Sequence, residues 1–166
     1  MGGDGQYLDG WHRIRSTNPK VFRLGDMLIG SQGDQRVSDI IQYNLEAPND
    51  FGIPSPEEYL CIHLIPKIRS LLKEHGAMMS EDGMDKMDAA IMIGHKSRLF
   101  VIGEDFTLSQ IASDYEAVGA GARYALGYMY AMQATSLTPE RLIEKALECA
   151  AHFSAAVSEP FEVLEL

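Results

Sequence analysis

Little in this sequence points toward membranes, nucleic acid or disulfides. No apolar run approaches the roughly 20 residues that cross a bilayer as a helix. The polar, glycine-rich opening Met1-Gly2-Gly3-Asp4 is not a secretory signal. Basic residues are scarce: 14 Lys and Arg face 24 Asp and Glu, for a formal charge of −10. Phosphate recognition needs clustered cations, so nucleic acid is excluded as the main partner, and an anionic membrane surface with it. Only two cysteines occur, Cys61 and Cys149, both inside helical apolar patterns. They read as reduced core residues of a cytoplasmic protein. The histidines (His12, His63, His75, His95, His152) follow no ligand spacing, so no metal is expected.

What is present is one domain's worth of chain, residues 1–166, with 46% hydrophobic residues and no repeat or low-complexity tract. The stretch from Tyr7 to Arg15 reads as a turn or short-strand region. Lys20 to Arg23 and Met27 to Ile29 read as strands around a Gly25-Asp26 turn. Gly30 to Asp34 reads as a turn, followed by a helix through Val37, Ile40, Ile41 and Leu45. Ala47 to Pro56 is a proline-rich loop. Ser55-Pro56-Glu57-Glu58 starts a second helix by capping, with Pro at the first position and acids in the first turn; His75-Gly76 ends it.

Met78 to Asp88 reads as a polar loop. Ala89 to Gly94 and Arg98 to Ile102 are strands about a His95-Lys96-Ser97 turn, with further strands expected at Thr107 to Ile111 and Tyr115 to Val118. A third helix opens at Gly119-Ala120-Gly121 and runs from Ala122 to about Ala134. A fourth is capped by Leu137-Thr138-Pro139-Glu140 and continues to about Ser154. Phe161 to Leu164 closes the chain as an edge-type strand. Strand runs separated by helix pairs do not alternate as a doubly wound sheet requires. They fit an α+β fold, a four-layer αββα sandwich.

Three local patterns carry chemistry. Gly3-Asp4-Gly5-Gln6 places an acid in a glycine-flanked turn. Asn18-Pro19-Lys20-Val21 places a lysine 16 residues after that acid, followed by Gly30-Ser31-Gln32-Gly33. Ala117 to Ala125 holds a glycine-rich entry to a helix, Gly119-Ala120-Gly121. In this order the patterns resemble the N-terminal-nucleophile hydrolases, in particular the proteasome β subunit and its simpler bacterial counterpart, over nearly the whole chain.

The resemblance implies a threonine-type peptidase, a hydrolase whose chain-terminal Thr, Ser or Cys uses its own α-amine as base, since that amine's pKa is roughly 7.7–8.0. Lys20 would lower the pKa of the nucleophile–amine pair, and Asp4 would hold Lys20. Backbone N–H groups of Gly30, Ser31, Gln32 and Gly33, with Gly119, Ala120 and Gly121, would line the oxyanion and substrate site. The family implies a cytoplasmic homo-oligomeric ring, a polypeptide substrate, an ATP-dependent unfoldase partner and no cofactor.

Three departures stand against that pattern. Met1-Gly2-Gly3 offers no nucleophile, and the family's first strand is expected ahead of Asp4. Ala120 stands where many members carry serine, and Ser154 lies near where an aspartate is common. Two readings follow: a peptidase whose nucleophile lies outside this chain, or a catalytically inactive ring subunit or peptide-binding module.

Other patterns read more plainly. The run from Gly119 to Tyr124 imitates a dinucleotide fingerprint, so a small nucleotide-binding protein is a third reading, weakened because the following 20 residues lead into helix rather than an acid-terminated strand. Ser70-Leu71-Leu72-Lys73 matches S-x-x-K without its accompanying motifs. Glu81, Asp82, Asp85 and Asp88 fit no calcium loop and read as a solvated acidic loop. Tyr124, Tyr128, Met129 and Met132 follow helical spacing as core or subunit-contact residues.

Overall fold

The computed structural model describes residues 1–10, 12–49 and 52–166. Its centre is a five-stranded antiparallel sheet in the order β10-β9-β8-β5-β4. The strands are β4 (Val21–Leu24), β5 (Met27–Gly33), β8 (Ala89–His95), β9 (Arg98–Ile102) and β10 (Leu108–Gln110). Alternation decides which face each side chain takes. Met27, Ile29, Ile91, Ile93, Phe100 and Ile102 are buried in the main core. That core is shared with Val37, Ile40 and Ile41 of α1 (Gln35–Asn44) and Ile65, Ile68 and Leu72 of α3 (Ile65–Glu74). Leu28, Gly30, Met92 and Gly94 instead line the cavity on the opposite side of the sheet.

Ser55 caps α2 (Pro56–Tyr59) by accepting from the Glu58 N–H, with Pro56 at the first turn and Glu57 and Glu58 behind it. The helix passes through a π-helical turn, Leu60–Leu64, into α3. The turn keeps Leu60 and Leu64 on the core while exposing Cys61 and Ile62.

On the far side, α4 (Ala122–Met132) and α5 (Pro139–Phe153) form an antiparallel pair with its own small core of Ala125, Met129, Ala146, Ala150 and Val157. Thr138 caps α5, its side chain accepting from the Arg141 N–H. Between this pair and the main sheet lies a second sheet, two-stranded among the described residues: β1 (Gly2–Asp4) against β11 (Phe161–Val163), with Gly3 opposite Glu162. The gap is narrow. A Cβ on Gly2 would meet Ile143 Cγ2 of α5 at 2.4 Å, and one on Gly30 would meet Met1 Sδ at 2.9 Å. The order is helices, sheet, sheet, helices: the αββα arrangement of N-terminal-nucleophile hydrolases.

Several local expectations are corrected. Gly30 to Gly33 is strand, paired with β8 from Gly30 opposite Met92 to Gly33 opposite Ala89; only Asp34 turns the chain, capping α1. Asp4 ends a strand rather than sitting in a turn, because β11 supplies a partner far away in sequence. Met78 to Asp88 is no open loop: β6 (Met79–Glu81) and β7 (Met84–Lys86) form a hairpin, with ion pairs Glu81–Lys86 and Arg69–Asp85. Tyr115 to Val118 makes no strand. The short-strand reading of Tyr7 to Arg15 holds: β2 (Gln6–Asp9) and β3 (His12–Arg15) form a hairpin, with Trp11 outside the described residues. The proline-rich loop is described except at residues 50 and 51. Cys61 is exposed, not a core residue; Cys149 is half-buried, and both thiols are free.

Candidate active site

Lys20 sits one residue ahead of β4, and its carbonyl accepts from the Ser31 N–H at 3.1 Å, which ties its backbone to β5. Its side chain crosses to the other sheet. Nζ donates to both carboxylate oxygens of Asp4, each at 3.1 Å. The pair is largely buried, with side-chain exposures of 18% for Lys20 and 13% for Asp4. Gly3 makes the approach feasible, since a Cβ there would lie 2.8 Å from Val21 Cγ2 and 3.4 Å from Lys20 Cβ. Asp4 Oδ1 also accepts from the Gln6 N–H at 2.8 Å, so one carboxylate orders both the lysine and the start of β2.

Gln6 is buried and donates through Nε2 to the Ala155 carbonyl at 2.8 Å. Gly5 is held on both sides, donating to the Pro160 carbonyl and accepting from the Ser16 N–H. These bonds fasten the Asp4 segment to the C-terminal part of the chain.

The candidate catalytic and oxyanion residues line one cavity of about 1210 Å³: Asp4, Lys20, the strand end Gly30, Ser31, Gln32 and Gly33, and the entry to α4 at Gly119, Ala120 and Gly121; Ser154 does not. The two glycine segments meet there. Gly119, at φ +96°, passes close enough to Gln32 that a Cβ on it would lie 3.4 Å from Gln32 Cβ. Gly121 packs α4 against α5, as a Cβ would meet Val157 Cγ2 at 2.8 Å and Ala150 Cβ at 2.9 Å. The Ser31 hydroxyl is engaged with that of Ser38 at 2.7 Å, both buried, which fastens β5 to α1.

Sequence reasoning missed Tyr7 and Ser38, and quoted Gln6 only as part of the Asp4 pattern. Tyr7 stands over the lysine, with Lys20 Nζ 4.8 Å from its ring centroid. Its phenol is pushed up to about 12, first by burial and then by the negative charges of Asp39 and Asp4, with Tyr43 adding to them. Its position directly after Gly5-Gln6 was the available signal. Among the described residues, no group of His, Cys, Asp or Glu could hold a metal ion, and no helix is long and apolar enough to cross a membrane.

A carboxylate-held ammonium stands on the wall of a cleft between two sheets with glycine-bearing segments facing it, an arrangement that resembles the proteasome β-subunit type. Within that class the chain is HslV-like. It is 26% identical over 174 aligned residues to the ATP-dependent protease subunit HslV of Caldicellulosiruptor saccharolyticus, covering 100% of this chain and 90% of that one. Its fold matches Thiobacillus denitrificans BPH, solved in complex with epoxomicin, with a TM-score of 0.76 and 24% identity over 97% of this chain and 88% of the other. Eukaryotic HslV from Trypanosoma brucei matches at a TM-score of 0.70 and 18% identity, again over 97% and 88%. No family model matches the sequence.

Proposed function

We propose that this protein hydrolyses peptide bonds in unfolded polypeptide as a threonine-type peptidase, with Lys20 and Asp4 as its charge-controlling pair. The observation that carries the reading is the Lys20 ammonium held by both Asp4 oxygens at 3.1 Å on the wall of the cavity. A cation in a largely desolvated place favours the deprotonated forms of a neighbouring hydroxyl and amine. Asp4 keeps that cation at one point.

The nucleophile is a Thr, Ser or Cys that opens the mature chain on a strand laid beside β1, where its α-amine serves as general base. The attacked carbonyl develops negative charge close to Lys20, beside the Gly30 to Gly33 and Gly119 to Gly121 segments, of which the Ser31 N–H is already donated to the Lys20 carbonyl. The acyl-enzyme is then released by water, the amine returning its proton. The HslV relative is named as a subunit of an ATP-dependent protease. By analogy the protein assembles with copies of itself in a cytoplasmic ring and receives substrate from an ATP-dependent unfoldase. The chemistry described uses no metal or organic cofactor.

The test is the protein purified from its natural source, with N-terminal sequencing, intact mass and cleavage of an unfolded model protein measured together. An N-terminal Thr, Ser or Cys that takes up one equivalent of an epoxyketone is expected, with cleavage lost in Lys20→Met. Absence of both cleavage and adduct overturns the proposal and leaves the second reading, a ring subunit that binds peptide in the same cavity without cutting it.

A further inference from the structure

We propose that Tyr7 is a positioning residue for Lys20, its ring face holding the ammonium against Asp4 so that the lysine keeps one place in the cavity. The inference rests on the reading of Lys20 as the group that controls the nucleophile. An ammonium has three N–H groups and a spherical charge, so a carboxylate alone fixes its distance but not its direction. Here Asp4 takes two contacts at 3.1 Å, and the Tyr7 ring presents its negative face 4.8 Å from Nζ. A ring centroid within about 6 Å of the cation is the range in which the quadrupole attracts it.

The backbone makes the arrangement deliberate. Asp4 Oδ1 accepts from the Gln6 N–H at 2.8 Å, and buried Gln6 is bound again through its side chain to Ala155. The residue next in line, Tyr7, is therefore set by the same carboxylate that holds Lys20. Across the hairpin it pairs with Ile14, which also lines the cavity. A phenol is neutral across the physiological range, and burial here only reinforces that, so the ring acts as a quadrupole and not as a second anion. A phenolate there would compete with Asp4 for the lysine.

The test reads Lys20 directly and needs no turnover, so the peptidase proposal can fail in its own assay without touching this one. Full-length protein is reductively methylated at fixed pH, and the rate at each lysine is followed by peptide mass spectrometry. In Tyr7→Leu, which keeps an apolar side chain but removes the ring, Lys20 is expected to react about two- to fivefold faster than in the parent, as loss of a modest cation–π contact implies. Tyr7→Phe is expected to match the parent, while Lys73 and Lys145 stay unchanged in both.

A Tyr7→Leu rate equal to the parent's, or a Tyr7→Phe rate equal to that of Tyr7→Leu, overturns the proposal. A second measurement covers the event that Tyr7→Leu fails to fold. In the parent, assigned with Lys20→Arg, the Lys20 ε-proton resonances should lie upfield of the other lysines through the ring current of Tyr7; resonances grouped with the rest refute the stacking.

Discussion

Replacing Gly33 with alanine combines two costs that a single glycine avoids. Gly33 ends β5 opposite Ala89, at φ +107°, a region that side-chain-bearing residues rarely adopt. A Cβ placed there would lie 2.4 Å from the Asp88 carbonyl oxygen and 2.7 Å from Ala89 Cα. Both obstacles are backbone, and the Asp88 oxygen is already fixed by the Asp34 N–H at 2.7 Å. No rotamer change relieves the contact; strand β8 must move. Backbone strain of about 1–3 kcal/mol adds to an overpacking cost of about 1–3 kcal/mol. The expected loss for Gly33→Ala is about 2–6 kcal/mol, or roughly 4–24 °C in Tm for a chain of this size.

Gly127→Ala provides the opposite sign. Gly127 lies inside α4 on an exposed face, with nothing within 4 Å of its would-be Cβ. Alanine there should stabilise by about 0.5–1 kcal/mol through helix propensity alone. Urea unfolding of both variants against the parent decides the matter. If Gly33→Ala unfolds within about 1 kcal/mol of the parent, the close approach of β5 and β8 at the cavity wall is wrong, and so is the placement of Gly30 to Gly33.

Two further perturbations probe the site's supports. Ser38→Ala removes the partner of the buried Ser31 hydroxyl at 2.7 Å, with an expected cost of about 1–3 kcal/mol. The Ser31→Ala, Ser38→Ala double variant, which leaves no orphaned hydroxyl, should be no less stable than Ser38→Ala; a fully additive double-mutant cycle would refute the pairing. For Tyr7, the phenol holds its proton more tightly in the folded state, near pH 12 against the ordinary 10. Its contribution is complete below pH 10 and is lost as pH rises toward 12. Screening at this half-buried position reduces the effect to about 1 kcal/mol. The difference in unfolding free energy between the parent and Tyr7→Phe should therefore shrink over that window, and a difference independent of pH there would contradict the shifted phenol.

Much of the fold was legible because its signals are local. The Ser55-Pro56 and Thr138-Pro139 starts, the Gly25-Asp26 turn and the alternation in β8 and β9 are each set by a few adjacent residues. The misreadings share one cause. Gly30 to Gly33 has turn composition, yet it is strand because β8 pairs with it across more than fifty residues of chain. The Asp4 segment likewise becomes strand only when β11 arrives from the other terminus. In Met78 to Asp88, the Lys86 and Arg69 ion pairs tie down a hairpin that polar composition suggested was loop.

The sequence by itself determined the helix starts, the acidic surface, and the order in which an aspartate, a lysine and two glycine segments appear. Spacing along the chain carries that much, since it reports which chemical groups are available. Only the tertiary structure decided that these groups share one cavity, that Asp4 reaches Lys20 from the opposite sheet, and that Tyr7 covers the ammonium. Those contacts join strands that pair through long-range ladders, and packing between layers sets their distances, which local propensity does not encode.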